Sequence, residues 1–340
     1  MKAARLNEQG GNFVIEDLPT PIPGPGQVLV RIAGAGACHS DLHIKAGDLQ
    51  GFPLPQTLGH ENAGWIEAFG AGAEGQGFEI GEAVVVFGGW GCGHCRFCLG
   101  GHEQLCNTFL WGGMGPAGGY AEFLVVPSVR ELLKADGLDP VLAAPLTDAA
   151  LTPYSAVKKT LPRLVPGTSA VLIGAGGLGQ YGIQFLKQLS PAKVIVVETD
   201  ESKAKTARAL GADATVNPRD DDAAEQIRAL TGEDGAAAVL DFVGIDATMA
   251  LGASLLGRQS IFVLVGLAGG TLPFSFMGLP SEAVVTTSNW GSRNELEEVL
   301  ALARTGSLVS NIEQHPLSEI NEVFERLATG QIAGRAVLVP

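Results

Sequence analysis

The segment AVLIGAGGLGQYGIQFLKQL, residues 170–189, narrows the possible folds more than any other stretch of this 340-residue chain. A short apolar run enters a glycine-rich turn, and the turn enters an apolar pattern of helical period. Gly174, Gly176 and Gly179 form G-x-G-x-x-G with a strand expected before it and a helix after it. KVIVVETD (193–200) reads as a second parallel strand ending at Glu198. ESKAKTARALGAD (201–213) reads as the next helix, stopped at Gly211. The alternation continues through TVNP (215–218), DDAAEQIRALTG (221–232), AAAVLDFVG (236–244), DATMALGASLLG (246–257) and SIFVLVG (260–266). Strands alternating with helices specify the α/β class and a doubly wound parallel sheet.

The glycine turn also specifies a ligand. Glycines at 174, 176 and 179, with Gly177 and Leu178 between them, let backbone approach a pyrophosphate that rests on helix N-terminal amides. Glu198 can accept both ribose hydroxyls of adenosine and would repel a 2′-phosphate, so NAD is expected over NADP. Lys203, one turn into the following helix, supports the ribose or pairs locally.

A second feature is CGHCRFCLGGHEQLC, residues 92–106, which holds four of the chain's five cysteines. Net charge is −14, which argues against a nucleic-acid or anionic-membrane partner. No stretch approaches the twenty apolar residues of a membrane span, and MKAARLNEQGGNFVIEDL lacks the apolar region of a signal peptide. A reducing cytoplasm is therefore expected, where disulfides are uncommon. In that setting Cys92, Cys95, Cys98 and Cys106 read as a closed tetrahedral zinc site, a staple with no open position. Two disulfides or an iron–sulfur ligand set are the alternatives. His94 and His102 read as exposed loop residues.

Cys38 stands apart, in GACHSDLHIKAGD (36–48), and LGHENAGWI (58–66) follows. Together they offer a thiolate and an imidazole, Cys38 and His60, with Asp41 and Glu61 beside them. A catalytic zinc needs three protein ligands and one open position, and its histidine needs a carboxylate behind it. Spacing alone does not supply the third ligand.

GHENAG (59–64), the four-cysteine lobe, GAGGLG (174–179) and the terminal GRAVLVP occur in an order that resembles the zinc-dependent medium-chain alcohol dehydrogenases over essentially the full length. The segment APLTDAALTPYSAV (144–157) is most similar to bacterial NAD-dependent secondary-alcohol dehydrogenases. The resemblance implies a partly open, GroES-like β-barrel catalytic domain from 1–150 and 289–340, and a Rossmann NAD domain from 151–288. It implies two zinc ions per chain and gives the catalytic one to Cys38, His60 and Asp148, with Glu61 a possible transient ligand. Pattern alone would make Asp148 a helix N-cap. The resemblance implies that Ser40 bonds the substrate oxygen and that His43 passes the proton to solvent. It places His39 and Arg335 at the pyrophosphate, Thr152 near the nicotinamide, and Asp41 behind His60. Phe52, Trp111 and Trp290 become candidates for the substrate pocket, with ordinary packing the alternative for each.

The expected function is reversible oxidation of a small alcohol, chiefly a secondary one, to a ketone or aldehyde by hydride transfer to NAD. A polyol, sugar or primary-alcohol dehydrogenase of the same superfamily is the alternative. A non-catalytic NAD-binding or sensor protein is a third reading, disfavoured because Cys38, His60 and Asp148 are all present. The resemblance further implies a homodimer or homotetramer, with VVTTSNW (284–290) supplying a strand that pairs between subunits.

Overall fold

The computed structural model describes every residue except Gln50. The chain divides into two compact units, one comprising Met1–Leu151 with Ser292–Pro340 and the other Thr152–Gly291.

The first unit is organised around the strand Val28–Gly36. Its sequence, VLVRIAGAG, is buried except at Arg31, as a strand covered on both faces must be. It pairs antiparallel with Glu61–Phe69, Phe123–Val126 and Arg335–Val339. The full path runs Leu132–Lys134, Ala83–Val86, Glu61–Phe69, Val28–Gly36, Arg335–Val339, Ile312–Pro316, with Phe123–Val126 paired to Val28–Gly36 off that path. A separate antiparallel sheet of Phe13–Asp17, Lys2–Leu6 and Gln56–Thr57 adjoins it through the bridge Ala3–Ala121, as the partly open barrel expected of this unit would require. Helix Ile320–Ala328 turns Ile320, Val323, Phe324 and Leu327 inward, the i, i+3, i+4, i+7 stripe of an amphipathic helix. Phe324 packs on Phe13 with ring centroids 4.9 Å apart and meets Tyr120 edge-on at 6.0 Å. Truncating such a buried ring costs about 3–5 kcal/mol.

The second unit is a six-stranded, all-parallel sheet in the order Ala214–Val216, Lys193–Val197, Ser169–Ile173, Ala236–Asp241, Leu256–Leu264, Val284–Thr287. From Ser169–Ile173 the chain builds first toward one edge and then toward the other. That reversal makes a topological switch point beside the carboxyl end of Ser169–Ile173, where open α/β sheets bind ligands. The glycine turn and helix Gly177–Leu189 follow that strand directly. Val284–Thr287 lies at the sheet edge, and both Val284 and Val285 are exposed. Trp290, beyond it, is buried at φ +50°. Among the described residues no helix is long and apolar enough to cross a membrane.

Candidate active site and metal centres

The four clustered cysteines are all free thiols whose sulfurs lie within 4.8 Å of one another. Cys95 and Cys98 are separated by 3.5 Å and Cys92 and Cys98 by 4.0 Å. A disulfide would need about 2.05 Å. Zinc–sulfur bonds of about 2.3 Å set tetrahedral ligands about 3.8 Å apart, so these spacings fit zinc. Backbone amides supply further support. The N–H of Cys95 points at Cys92 Sγ at 3.4 Å, that of Cys98 at Cys95 Sγ at 3.5 Å, and that of Cys92 at Cys106 Sγ at 3.4 Å. The Thr108 hydroxyl pulls the Cys106 thiol down to about 6, whereas burial pushes Cys98 up to about 12. Four thiolates therefore cannot coexist here without a cation among them. His94 and His102 are exposed, as loop residues would be.

The second cluster is assembled from distant sequence. Ligand atoms of Cys38, His60, Glu61 and Asp148 all lie within 4.8 Å of one another. Cys38 ends the run after Val28–Gly36 and stands at the N-terminus of helix His39–Ala46. His60 immediately precedes strand Glu61–Phe69. Asp148 follows a 3-10 turn, Ala144–Thr147, and comes three residues before helix Leu151–Thr160. That offset takes Asp148 out of the N-cap position that pattern alone suggested. Its Oδ2 faces His60 Nε2 at 3.4 Å and Cys38 Sγ at 3.8 Å. Burial alone would lower the His60 pKa, but Asp41, Asp148 and Cys38 together raise it well above its ordinary value. The pocket thus favours a positive charge at this point, and its S, N and O donors suit zinc.

Behind His60 stands Asp41, fully buried, with Oδ1 3.4 Å from His60 Nδ1. Asp41 Oδ2 accepts from the Cys38 amide at 3.2 Å and from the Tyr120 hydroxyl at 2.8 Å. Gly36 O lies 3.1 Å from the same hydroxyl and shares its single proton as the longer arm, and the Tyr120 ring belongs to the Phe13–Phe324 cluster. Burial, then Asp41, raise the Tyr120 pKa well above normal, so its hydroxyl stays a donor. The barrel core therefore fixes the carboxylate that fixes the histidine. Sequence reasoning missed Tyr120, because a Tyr in GGYAEF carries no spacing signal.

Glu61 is fully buried and opposes Gly36 across the sheet. Its carboxylate occupies the room a side chain at Gly36 would need, since a Cβ there would lie 1.8 Å from Glu61 Oε2. Arg335 clamps Glu61 through both Nε, at 2.9 Å, and Nη2. Burial raises the Glu61 pKa to about 7 even though Arg335 lowers it. The resemblance gave Arg335 to the pyrophosphate; here its guanidinium is buried against Glu61, with Asp148 Oδ2 at 3.8 Å.

Ser40 Oγ lies 3.6 Å from Cys38 Sγ. His43 lies outside the four-residue metal cluster, and its Nδ1 faces Asp48 Oδ2 at 3.0 Å. Trp111 stacks on His60, with ring centroids 5.9 Å apart and planes at 17°. Phe52 is partly buried against the barrel core. His39 is exposed and Thr152 is buried.

In the second unit, the fingerprint glycines are placed as a phosphate cradle requires. A Cβ at Gly179 would lie 2.0 Å from Gly174 O, whereas one at Gly176 would meet nothing within 4 Å. Space is thus kept at the turn and denied where helix meets strand, with Gly177 and Leu178 opening the helix. Glu198 Oε2 accepts from the Ala175 amide at 2.8 Å, and Oε1 accepts from Thr199 and Asp200 amides at 2.8 and 3.0 Å. The Thr199 hydroxyl adds a contact to Oε1 at 3.4 Å, while Oε2 takes only the Ala175 amide; with about two lone pairs on each oxygen, Oε2 keeps one for ribose. The Lys203 amide is capped by Asp200 at 3.0 Å.

A dinucleotide fold in the same chain as a barrel carrying two metal-ligand clusters defines a metal-dependent dehydrogenase. Residues 24–136 match the alcohol dehydrogenase GroES-like domain and residues 177–305 the zinc-binding dehydrogenase domain. The chain is 37% identical to the NAD-dependent alcohol dehydrogenase of Sulfurisphaera tokodaii, over all of both sequences. It is also 37% identical to the D-arabinose 1-dehydrogenase (NADP(+)) of Saccharolobus solfataricus, over all of this chain and 97% of that one. The crystal structure of the Aeropyrum pernix alcohol dehydrogenase superposes with a TM-score of 0.93 at 39% identity, covering both chains fully. The chain belongs to the zinc-type medium-chain alcohol dehydrogenases and is an NAD-dependent oxidoreductase.

Proposed function

We propose that this enzyme interconverts secondary alcohols and ketones with NAD, and that each chain holds two zinc ions. The observation that carries the reading is the convergence of Cys38, His60 and Asp148 on one buried point, beside Ser40. We assign catalysis to residues 1–150 and 289–340, and NAD binding to 151–288.

Bound zinc supplies Lewis acidity that makes an alcohol hydroxyl acidic, and bound NAD supplies the hydride acceptor. Cys38, His60 and Asp148 hold the metal, and Asp41 holds the His60 ring. Arg335 keeps Glu61 neutralised within reach of the cluster. Ser40 would hydrogen-bond the substrate oxygen and, as it accepts the hydroxyl proton, give up its own to the relay that ends at His43, which releases a proton to solvent. Trp111 walls the metal side of the substrate site. Cys92, Cys95, Cys98 and Cys106 hold the second zinc as a structural staple.

The secondary-alcohol assignment is supported by Asp148 and its surrounding segment 144–157. A sugar or polyol substrate is the second reading, favoured by the D-arabinose 1-dehydrogenase relative. Comparing kcat/KM for secondary, primary, polyol and aldose substrates separates the two. Secondary alcohols should lead; an aldose or polyol in first place would overturn the assignment.

Glu198 supports NAD over NADP. Glu198→Ala should narrow the preference by about tenfold or more, because a mismatched charge is removed. Equal wild-type efficiency with both cofactors would contradict it. The exposed edge strand Val284–Thr287 supports a homodimer or homotetramer built by strand pairing, since such an edge unpaired invites aggregation. Light scattering checks this, and a stable 35.1 kDa monomer would refute it. Five unbonded thiols support a reducing compartment such as the cytoplasm.

A further inference from the structure

The turn that closes helix His39–Ala46 grips His43 twice. The helix stops at Gly47, whose φ of +89° only glycine adopts readily. Three successive amides then converge on the His43 carbonyl, from Gly47 at 3.1 Å, Asp48 at 2.9 Å and Leu49 at 3.3 Å. This convergence folds Asp48 back along the helix. Its Oδ2 thereby comes to 3.0 Å from Nδ1 of the same histidine.

A carboxylate can only accept a hydrogen bond. The nitrogen facing it must therefore carry the proton. In neutral imidazole, a proton on Nδ1 leaves the lone pair on Nε2. A free histidine has no such constraint and exchanges between tautomers. We propose that Asp48 is a positioning residue that holds His43 in the Nδ1–H tautomer, so that Nε2 is the atom that receives the substrate's proton. The proposal rests on the reading of His43 as the proton carrier. No new bond chemistry is involved: the proton arrives at Nε2 and leaves from Nε2 to water.

The His43 side chain is 26% exposed and that of Asp48 65%. Solvent therefore weakens the pair, and its effect falls well below that of a fully buried orienting carboxylate. General-base catalysis contributes about 10²–10⁴-fold in all, so loss of orientation should cost about tenfold in turnover.

The test uses the zinc- and NAD-loaded enzyme, with Asp48→Ala, Asp48→Asn, His43→Gln and the double variant Asp48→Ala/His43→Gln. Nitrogen-15 NMR, with the His43 signals assigned by their loss in His43→Gln, reads the tautomer. In the wild type the protonated nitrogen should be Nδ1. Asp48→Ala should move the signals toward the Nε2–H form and lower kcat about tenfold, with KM for alcohol and NAD changed less than about twofold. Asp48→Asn retains an accepting oxygen and should recover part of the loss. On the His43→Gln background, Asp48→Ala should add nothing. If His43→Gln slows turnover but Asp48→Ala leaves both kcat and the nitrogen signals unchanged, Asp48 does not position the ring. If Asp48→Ala slows turnover equally in the presence and absence of His43, its effect does not pass through the imidazole, and the proposal falls. If His43→Gln keeps full turnover, the proton-carrier reading fails and the proposal with it.

Discussion

The two metal-ligand clusters of the first unit are built on opposite plans. The four-cysteine lobe draws all its ligands from fifteen consecutive residues, and its support is local, through backbone amides and Thr108. The second cluster draws ligands from positions 38, 60 and 148, and its support comes from the barrel core through Tyr120 and Asp41. One is a closed set of identical donors. The other mixes sulfur, nitrogen and oxygen, and buries charges that must be balanced by Arg335 and a cation. A site that only staples can be local and uniform. The role proposed for the second, to hold a metal, leave a position open and move a proton, needs parts that the fold brings together.

Substituting a ligand from each cluster tests that contrast most strongly. Asp148→Asn preserves shape and removes the charge. Turnover should fall about 10⁴-fold or more, because an amide is a poor zinc ligand, while the lobe keeps its metal. Kinetics with metal analysis checks this, and near-wild-type turnover would move the third ligand elsewhere, with Glu61 the next candidate. Cys98→Ser should do the reverse. It should cost about 3–4 kcal/mol of stability through loss of the lobe's metal, and the catalytic cluster should still bind zinc. Thermal unfolding with metal analysis reads it; simultaneous loss of both metals would mean that the clusters are not independent.

The lobe also rests on buried charge. Glu131 is buried beside Arg130 and Glu103, and burial raises its pKa to about 7 from an ordinary 4.5. Folding therefore favours the protonated form. That contribution is fully present below about pH 4.5 and is lost as pH rises toward 7. Glu131→Gln should raise the unfolding free energy by about 3 kcal/mol at pH 8 and hardly at all near pH 4.5. A pH-independent effect on thermal unfolding would show that burial is not the cause. Glu61 shows the same rise, to about 7, with Arg335 clamped on it, so in both places burial outweighs a neighbouring arginine.

The smallest of these effects concerns the support of His60. Tyr120→Phe removes one hydrogen bond to Asp41 while keeping the ring in the core. Affinity for the catalytic metal should weaken about tenfold, with the lobe's metal unaffected. Competition with a metal indicator measures it. Unchanged affinity would mean that the Cys38 amide alone suffices to orient Asp41.

The same contrast explains what could be read without coordinates. The lobe was legible because its chemistry is contiguous. The α/β alternation was legible from strand and helix periods between 169 and 266, and the strand Val284–Thr287 from its β-branched residues. Cys38 and His60 could be paired as donors, but Asp148 was reachable only through family resemblance, since spacing does not encode a turn 88 residues further on. Tyr120, the Glu61–Arg335 clamp and the Asp48 contact were not legible at all. Each depends on a side chain crossing between elements, or on a turn folding back on its own helix, and neither leaves a period in the sequence.

Graded chelation, following metal content, turnover and ellipticity together, decides whether the two clusters hold zinc independently, one for stability and one for catalysis, as proposed. The active enzyme should contain two zinc ions per chain. A chelator should remove the first with all activity and no loss of folded signal, and the second only as the fold weakens. One zinc or none in fully active enzyme, or activity that survives loss of the first metal, would contradict the account.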